Sequence, residues 1–162
     1  MQGLCEAGES QCIADCGPWD LSTPSFPSFY TPNGVMFSVT SVVDIYLSGL
    51  FVTHMAGNPT IALYTTPNGF QGKESNQGDW TQIGSGAFSS VQNSFSVGFN
   101  SFDPIKLDAG STRGFYFAST GTLRAYISDV SPIASDSRLQ INSPGVILGS
   151  LFSPYPNVGT TL

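Results

Sequence analysis

Phe102-Asp-Pro-Ile-Lys-Leu-Asp-Ala-Gly-Ser-Thr-Arg-Gly-Phe-Tyr-Phe117 decides the fold class of this 162-residue chain. It reads as two strands joined by a tight polar turn. Side chains alternate across a strand, so Ile105 and Leu107 share one face while Lys106 and Asp108 take the other. Ala109-Gly110-Ser111 supplies the flexible backbone of a hairpin turn. Gly114 is followed by three aromatics in a row, Phe115, Tyr116 and Phe117. That run is too short for a buried helix and suits a pleated surface, which places it near the middle of a sheet.

The same reading extends outward. Upstream, Val35-Met-Phe-Ser-Val-Thr40 alternates in part, and Val43, Ile45 and Leu47 face away from Asp44, Tyr46 and Ser48. Thr60-Ile-Ala-Leu-Tyr-Thr-Thr66 turns Ile61 and Leu63 inward and stops at Pro67-Asn68-Gly69. A polar loop over residues 69–79 leads to Trp80, which re-enters the core, and Gly84-Ser-Gly86 marks a bulge or bend. Phe95, Val97 and Phe99 then alternate cleanly. Downstream lie further short apolar runs at residues 123–127, 138–141 and 146–152. Many short strands without a helical pattern predict an all-β fold, an antiparallel β-sandwich of jelly-roll type over residues 35–162. An extended N-terminal arm, residues 1–34, precedes it. The expected core comprises Ile45, Leu63, Phe95, Val97, Phe99, Ile105, Leu107, Phe115 and Phe117.

Composition narrows the function classes. Charged residues make up 10% of the chain, and 18 Gly and 11 Pro punctuate it, against an ordinary charged fraction of about 25%. A net charge of -6 repels a phosphate backbone and offers no basic stripe, so nucleic acid is not expected as a partner. Asp44, Ser48 and His54 interrupt the longest apolar runs, none of which approaches the roughly 20 residues of a membrane span. Low charge with abundant Ser, Thr, Gly and Pro points to a secreted, extracellular or cell-surface protein. Met1-Gln-Gly-Leu-Cys5 has neither the basic start nor the apolar core of a signal peptide, which suggests a mature or excised form.

All three cysteines, Cys5, Cys12 and Cys16, fall in the first sixteen residues. With no His nearby and no paired CxxC, a disulfide cluster is the expected use and no metal site is assigned. An odd count leaves one thiol to pair with another chain, to stay free, or to have lost a partner that lay upstream of Met1. Residues 18–34 contain Pro18, Pro24, Pro27 and Pro32, which deny a helix and a central strand position. Trp19, Leu21, Phe26, Phe29 and Tyr30 carry more apolar surface than a tail leaves in water, so they are expected to bury, on their own domain or on a neighbouring copy. Ser22, Thr23, Ser25, Ser28 and Thr31 stand among the prolines in a composition typical of O-glycosylated stalks.

Cys5-Glu-Ala-Gly-Glu-Ser-Gln-Cys12-Ile-Ala-Asp-Cys16-Gly17 resembles the short Cys-rich motif found beside β-sandwich modules in secreted and surface proteins of microalgae (diatom-like) and bacteria. The motif carries a further Cys upstream that this chain lacks. Phe37-Ser-Val39, Leu63-Tyr-Thr65, Trp80-Thr-Gln-Ile83-Gly-Ser-Gly86 and Leu107-Asp-Ala-Gly-Ser-Thr-Arg-Gly-Phe-Tyr116 are similar, in that order, to the sandwich that follows such motifs. This resemblance covers about residues 35–141 and implies an extracellular module without an assigned reaction.

No catalytic signature stands out. His54 is the single histidine, at the end of an apolar strand, and reads as structural. Gly84-Ser-Gly86 lacks the outer glycines of a nucleophile elbow. Asp103, Asp108, Asp129 and Asp136 sit near turns, where a structural Ca²⁺ is conceivable without EF-hand spacing. Asp44 and Asp79 are the only nominees for a glycosidase pair, and turn or surface roles explain both more simply. No cofactor is assigned. The expected function is non-enzymatic: a structural subunit of a glycosylated extracellular fibril or surface layer, whose partners are other copies of itself and covalent glycans and whose arm makes the contact. The alternative is a carbohydrate-binding or adhesion module, with Trp80, Tyr64 and Tyr126 as its candidate exposed aromatics.

Overall fold

The structure is a computed structural model that describes residues 21, 33–54, 56–89, 95–99, 102–124, 134–147 and 152, with backbone alone at 95–97, 124 and 143–147. The chain is all-β and antiparallel. Its strands are β1 (Gly34–Ser41), β2 (Ile45–Leu47), β3 (Leu50–His54), β4 (Thr60–Pro67), β5 (Thr81–Ala87), β6 (Phe95–Phe99), β7 (Ile105–Leu107), β8 (Thr112–Ser119), β9 (Leu123–Arg124), β10 (Ala134–Ser135) and β11 (Leu139–Ile147). Six of them form one sheet in the order β10-β11-β1-β8-β4-β5; β2 pairs with β7, and β3 lies between β6 and β9. The aromatic run of β8 sits in the interior of the large sheet, as its composition predicts.

The expected hairpin is corrected in one respect. β7 and β8 are both strands, and the turn between them is tight, with Ser111 N–H donating to Asp108 O at 2.9 Å and Gly110 at φ +77. Yet the two strands pair with β2 and with β1 and β4, not with each other. The turn's backbone is taken by the end of β1: Gly110 N–H donates to Ser41 O (2.8 Å) and Ser41 N–H to Ser111 O (2.9 Å). Just beyond, Ala109 N–H donates to Asp44 Oδ1 (2.8 Å). The β1/β8 pairing that ends at Thr40 and Thr112 therefore resumes as β2/β7 at Ile45 and Leu107. One two-stranded ribbon turns a corner and leaves the large sheet. Val43, read as inward-facing from alternation, lies in that corner and is 38% exposed.

The main core is shared by both groups of strands. Val35, Val39, Ile61, Leu63, Phe115, Phe117 and Leu139 come from the large sheet, and Ile45, Leu47, Val52, Phe99, Leu107 and Leu123 from the shorter ones. Of the expected core residues, Ile45, Leu63, Phe99, Leu107, Phe115 and Phe117 are buried and Ile105 packs partly buried against them; Phe95 and Val97 have side chains outside the described set. Burial of each such side chain is worth about 1.5–3 kcal/mol.

The large sheet is also covered on its other face. Met36, Tyr116 and Ala118 point there, and the loop after β4 lays Phe70 and Trp80 on them. Trp80 tilts against Tyr116 at 5.6 Å and its Nε1 donates to Lys73 O at 2.9 Å. Phe70 N–H donates to Ser38 Oγ at 3.3 Å. The Lys73 ammonium ties down the loop's start, donating to Thr66 Oγ1 (3.0 Å), Gly69 O (3.1 Å) and Pro67 O. The polar stretch that showed no periodicity is thus a strap over a second apolar cluster.

Candidate functional site

A cleft of about 660 Å³ opens between β5, β7 and β8. Gln82 and Ile83 come from β5, Phe102, Asp103 and Pro104 from the segment entering β7, Ile105 and Lys106 from β7, and Arg113 from β8. Each arrives there for a local reason. The β4–β5 register jumps from Leu63↔Gly84 to Tyr64↔Gln82, leaving Ile83 as an extra residue. This bulge lies one residue before the glycines that signalled it. It turns Ile83 onto the main core while Gln82 stays exposed, the re-aiming that bulges commonly provide beside binding sites. Phe102, 9% exposed, anchors the opposite wall in the core. Arg113 stands two residues before Phe115 and shares its face, so it emerges where the core ends, half-buried.

The two cations differ in their surroundings. Lys106 Nζ lies 2.6 Å from Asp108 Oδ1 and 3.9 Å from Asp44 Oδ2, and the bond to Asp108, then the charges of Asp108 and Asp44, hold its pKa above the usual lysine value. Arg113 makes no ion pair among the described residues. Its cross-strand neighbours Val39 and Pro67 carry no acceptor on their side chains. The cleft therefore presents a guanidinium, the carboxylate of Asp103 and the amide of Gln82 over walls of Ile83, Phe102, Pro104 and Ile105. Such a surface can hold a ligand that has both polar groups and apolar faces.

Of the acids and the histidine nominated from sequence, Asp103 lines the cleft and the other described ones fall elsewhere. His54 is fully buried in β3. Asp136 accepts from the backbone N–H groups of Arg138 (2.7 Å) and Leu139 (3.1 Å) in a turn, and Asp44 and Asp108 share Lys106. Asp79 closes a short 3-10 turn, Gln77–Asp79. Among the described residues no three His, Cys, Asp or Glu side chains group together as metal ligands. Asp129 lies outside the described residues, as do Cys5, Cys12, Cys16, Trp19, Phe26, Phe29, Tyr30 and Tyr126 and the glycosylation candidates Ser22, Thr23, Ser25, Ser28 and Thr31. Leu21 is described, and packs partly buried against the main core of its own chain.

The aromatics nominated as an exposed platform are corrected. Trp80 is 7% exposed beneath its loop, and Tyr64 is half-buried, stacked on Tyr116 at 5.9 Å. Among the described residues the exposed aromatic is Phe51, at 49%. Alternation already held that signal, because Leu50 and Val52 share one face and Phe51 takes the other. Arg113 was legible in the same way, as a cation on the inward parity of an aromatic strand. Gln82 was not, because the bulge shifts its parity. No protein-family model matches the chain, and no curated protein is significantly similar to it.

Proposed function

We propose that the protein is a non-enzymatic extracellular adhesion module that binds carbohydrate in the cleft between β5 and β7. The observation that carries this reading is the convergence of Gln82, Asp103 and Arg113 on a cleft with apolar walls. Saccharides offer the matching chemistry, with hydroxyl groups that donate and accept around apolar C–H faces. Low charge and Ser/Thr-rich composition fit the same setting. A glycan-binding screen on monomeric protein tests it. A saccharide should be retained, and Gln82→Ala or Asp103→Ala should weaken binding about tenfold, as loss of one hydrogen bond worth about 1.4 kcal/mol does. Retention of no saccharide, or unchanged binding by both variants, would overturn the reading.

A second reading, a glycosylated self-assembling subunit of a fibril or surface layer, is favoured by the open edge of the large sheet. Thr81–Ala87 contains no charge and no proline and pairs, among the described strands, with β4 alone. Such edges invite another strand. In this reading residues 1–34 reach the next copy. Leu21 packed on its own core and Asn33 Nδ2 bonded to Gly121 O at 3.2 Å weigh the other way, since both seat the segment's flanks on the same chain. Electron microscopy of the full chain and of a chain lacking residues 1–34 separates the two. Filaments that disappear on deletion support assembly through the arm; a destabilised domain that never forms filaments supports packing in cis.

A further inference from the structure

We infer that the cleft selects a saccharide bearing a carboxylate, and that Arg113 is the residue that reads it; this rests on the cleft being a carbohydrate site. Arg113 is the cation in the cleft that makes no ion pair with the described residues. Lys106 sits across the same cleft, but Asp108 and Asp44 already neutralise it, one of them at 2.6 Å. Arg113 has Val39 and Pro67 beside it in the sheet and Phe115 next on its face. The nearby hydroxyl of Thr65 is turned to the backbone, donating to Gly114 O at 3.1 Å. Arg113 is half-buried as a residue, and its guanidinium presents a planar fork of donors, which a carboxylate fills with two parallel hydrogen bonds.

The other cleft residues fix how such a ligand lies. Asp103 repels a carboxylate and accepts hydrogen bonds from hydroxyl groups, so the acidic end of a sugar acid turns to Arg113 and its hydroxyls to Asp103 and Gln82. Ile83, Pro104 and Ile105 meet the apolar face of the ring. A single unpaired guanidinium matches a single carboxylate. The chain's net charge of -6 works against any anion at long range, so affinity for the acid depends on this local pair.

Calorimetric titration of the full chain tests the inference, with galacturonate, glucuronate and mannuronate trisaccharides and their methyl esters at matched ionic strength. At least one acid should bind about tenfold more tightly than its ester. Arg113→Gln should bring the acid to the affinity of the ester, and Arg113→Lys, which keeps the charge and loses the fork, should fall between. Asp103→Ala should weaken the ester more than the acid, because both lose a hydroxyl acceptor and only the acid is relieved of a repulsion. Thermal melting of each variant confirms folding, and Arg113→Lys carries the test if Arg113→Gln does not fold. Equal binding of acid and ester, or a preference that survives Arg113→Gln, would overturn the inference and leave the carbohydrate reading standing. Binding of neither form would overturn both.

Discussion

The backbone of Phe70 rests directly on Gly114: a β-carbon added to Gly114 would lie 2.9 Å from Phe70 N, 2.8 Å from the Gly69 carbonyl carbon and 2.7 Å from Thr66 Cγ2. The strap over the second cluster is held this close because the central strand has no side chain at that point. Gly114→Ala forces backbone against backbone, and denaturant unfolding should show a loss at or above the usual 1–3 kcal/mol or so of an overpacked site. A loss below about 0.5 kcal/mol, the level of a surface substitution, would mean that the strap does not sit there.

Phe115→Ala removes a fully buried ring that stacks with Phe37 at 5.7 Å in the main core. The expected cost in the same measurement is about 3–5 kcal/mol. A change under about 1 kcal/mol would place Phe115 on the surface and contradict the assignment of faces on β8.

Lys73→Met keeps the aliphatic stem and removes the ammonium that bridges Thr66, Pro67 and Gly69. Hydrogen bonds to a charged donor are worth about 1.5–3 kcal/mol, and Trp80 leans on this loop through Lys73 O. The variant should therefore lose stability on that scale and show tryptophan emission shifted toward that of exposed indole. Unaltered emission and stability would show that the strap holds without its ammonium clamp.

Burial pushes the Tyr116 phenol well above its ordinary pKa of 10.0, and its hydroxyl sits near the Phe152 backbone without a hydrogen bond of normal geometry. Above pH 10 the unfolded chain then releases a proton that the folded chain retains. Stability should fall with rising pH in that range, by up to about 1.4 kcal/mol per pH unit for the one group. Urea unfolding between pH 9 and 11 checks this, and Tyr116→Phe should flatten the dependence. An equal slope in the variant would assign it to other groups.

How far the sequence carries depends on the range of the interaction involved. Alternation is local, so Ile105, Leu107, Phe115 and Phe117 could be placed from their neighbours alone. Strand pairing is not local. Asp108 to Ser111 has the chemistry of a hairpin turn and does form a tight turn, yet Ser41 and Asp44, more than sixty positions away, occupy the groups that a hairpin would use. Trp80 illustrates a third limit. A lone tryptophan after a polar loop fits both an exposed platform and a buried anchor, and the choice depends on Met36 and Tyr116 lying beneath it. The cleft combines these cases: Arg113 follows from parity, whereas Gln82 depends on a bulge that exists only relative to β4.

The claim that the cleft is a carbohydrate site is tested most directly by amide spectra of isotope-labelled protein titrated with maltotriose and with trigalacturonate. The account predicts saturable shifts centred on Gln82, Asp103, Ile105 and Arg113, larger for the acidic sugar, with Phe51 and residues 84–87 unmoved. Shifts that cluster around Phe51, or that follow protein concentration along residues 84–87 without regard to sugar, would contradict it.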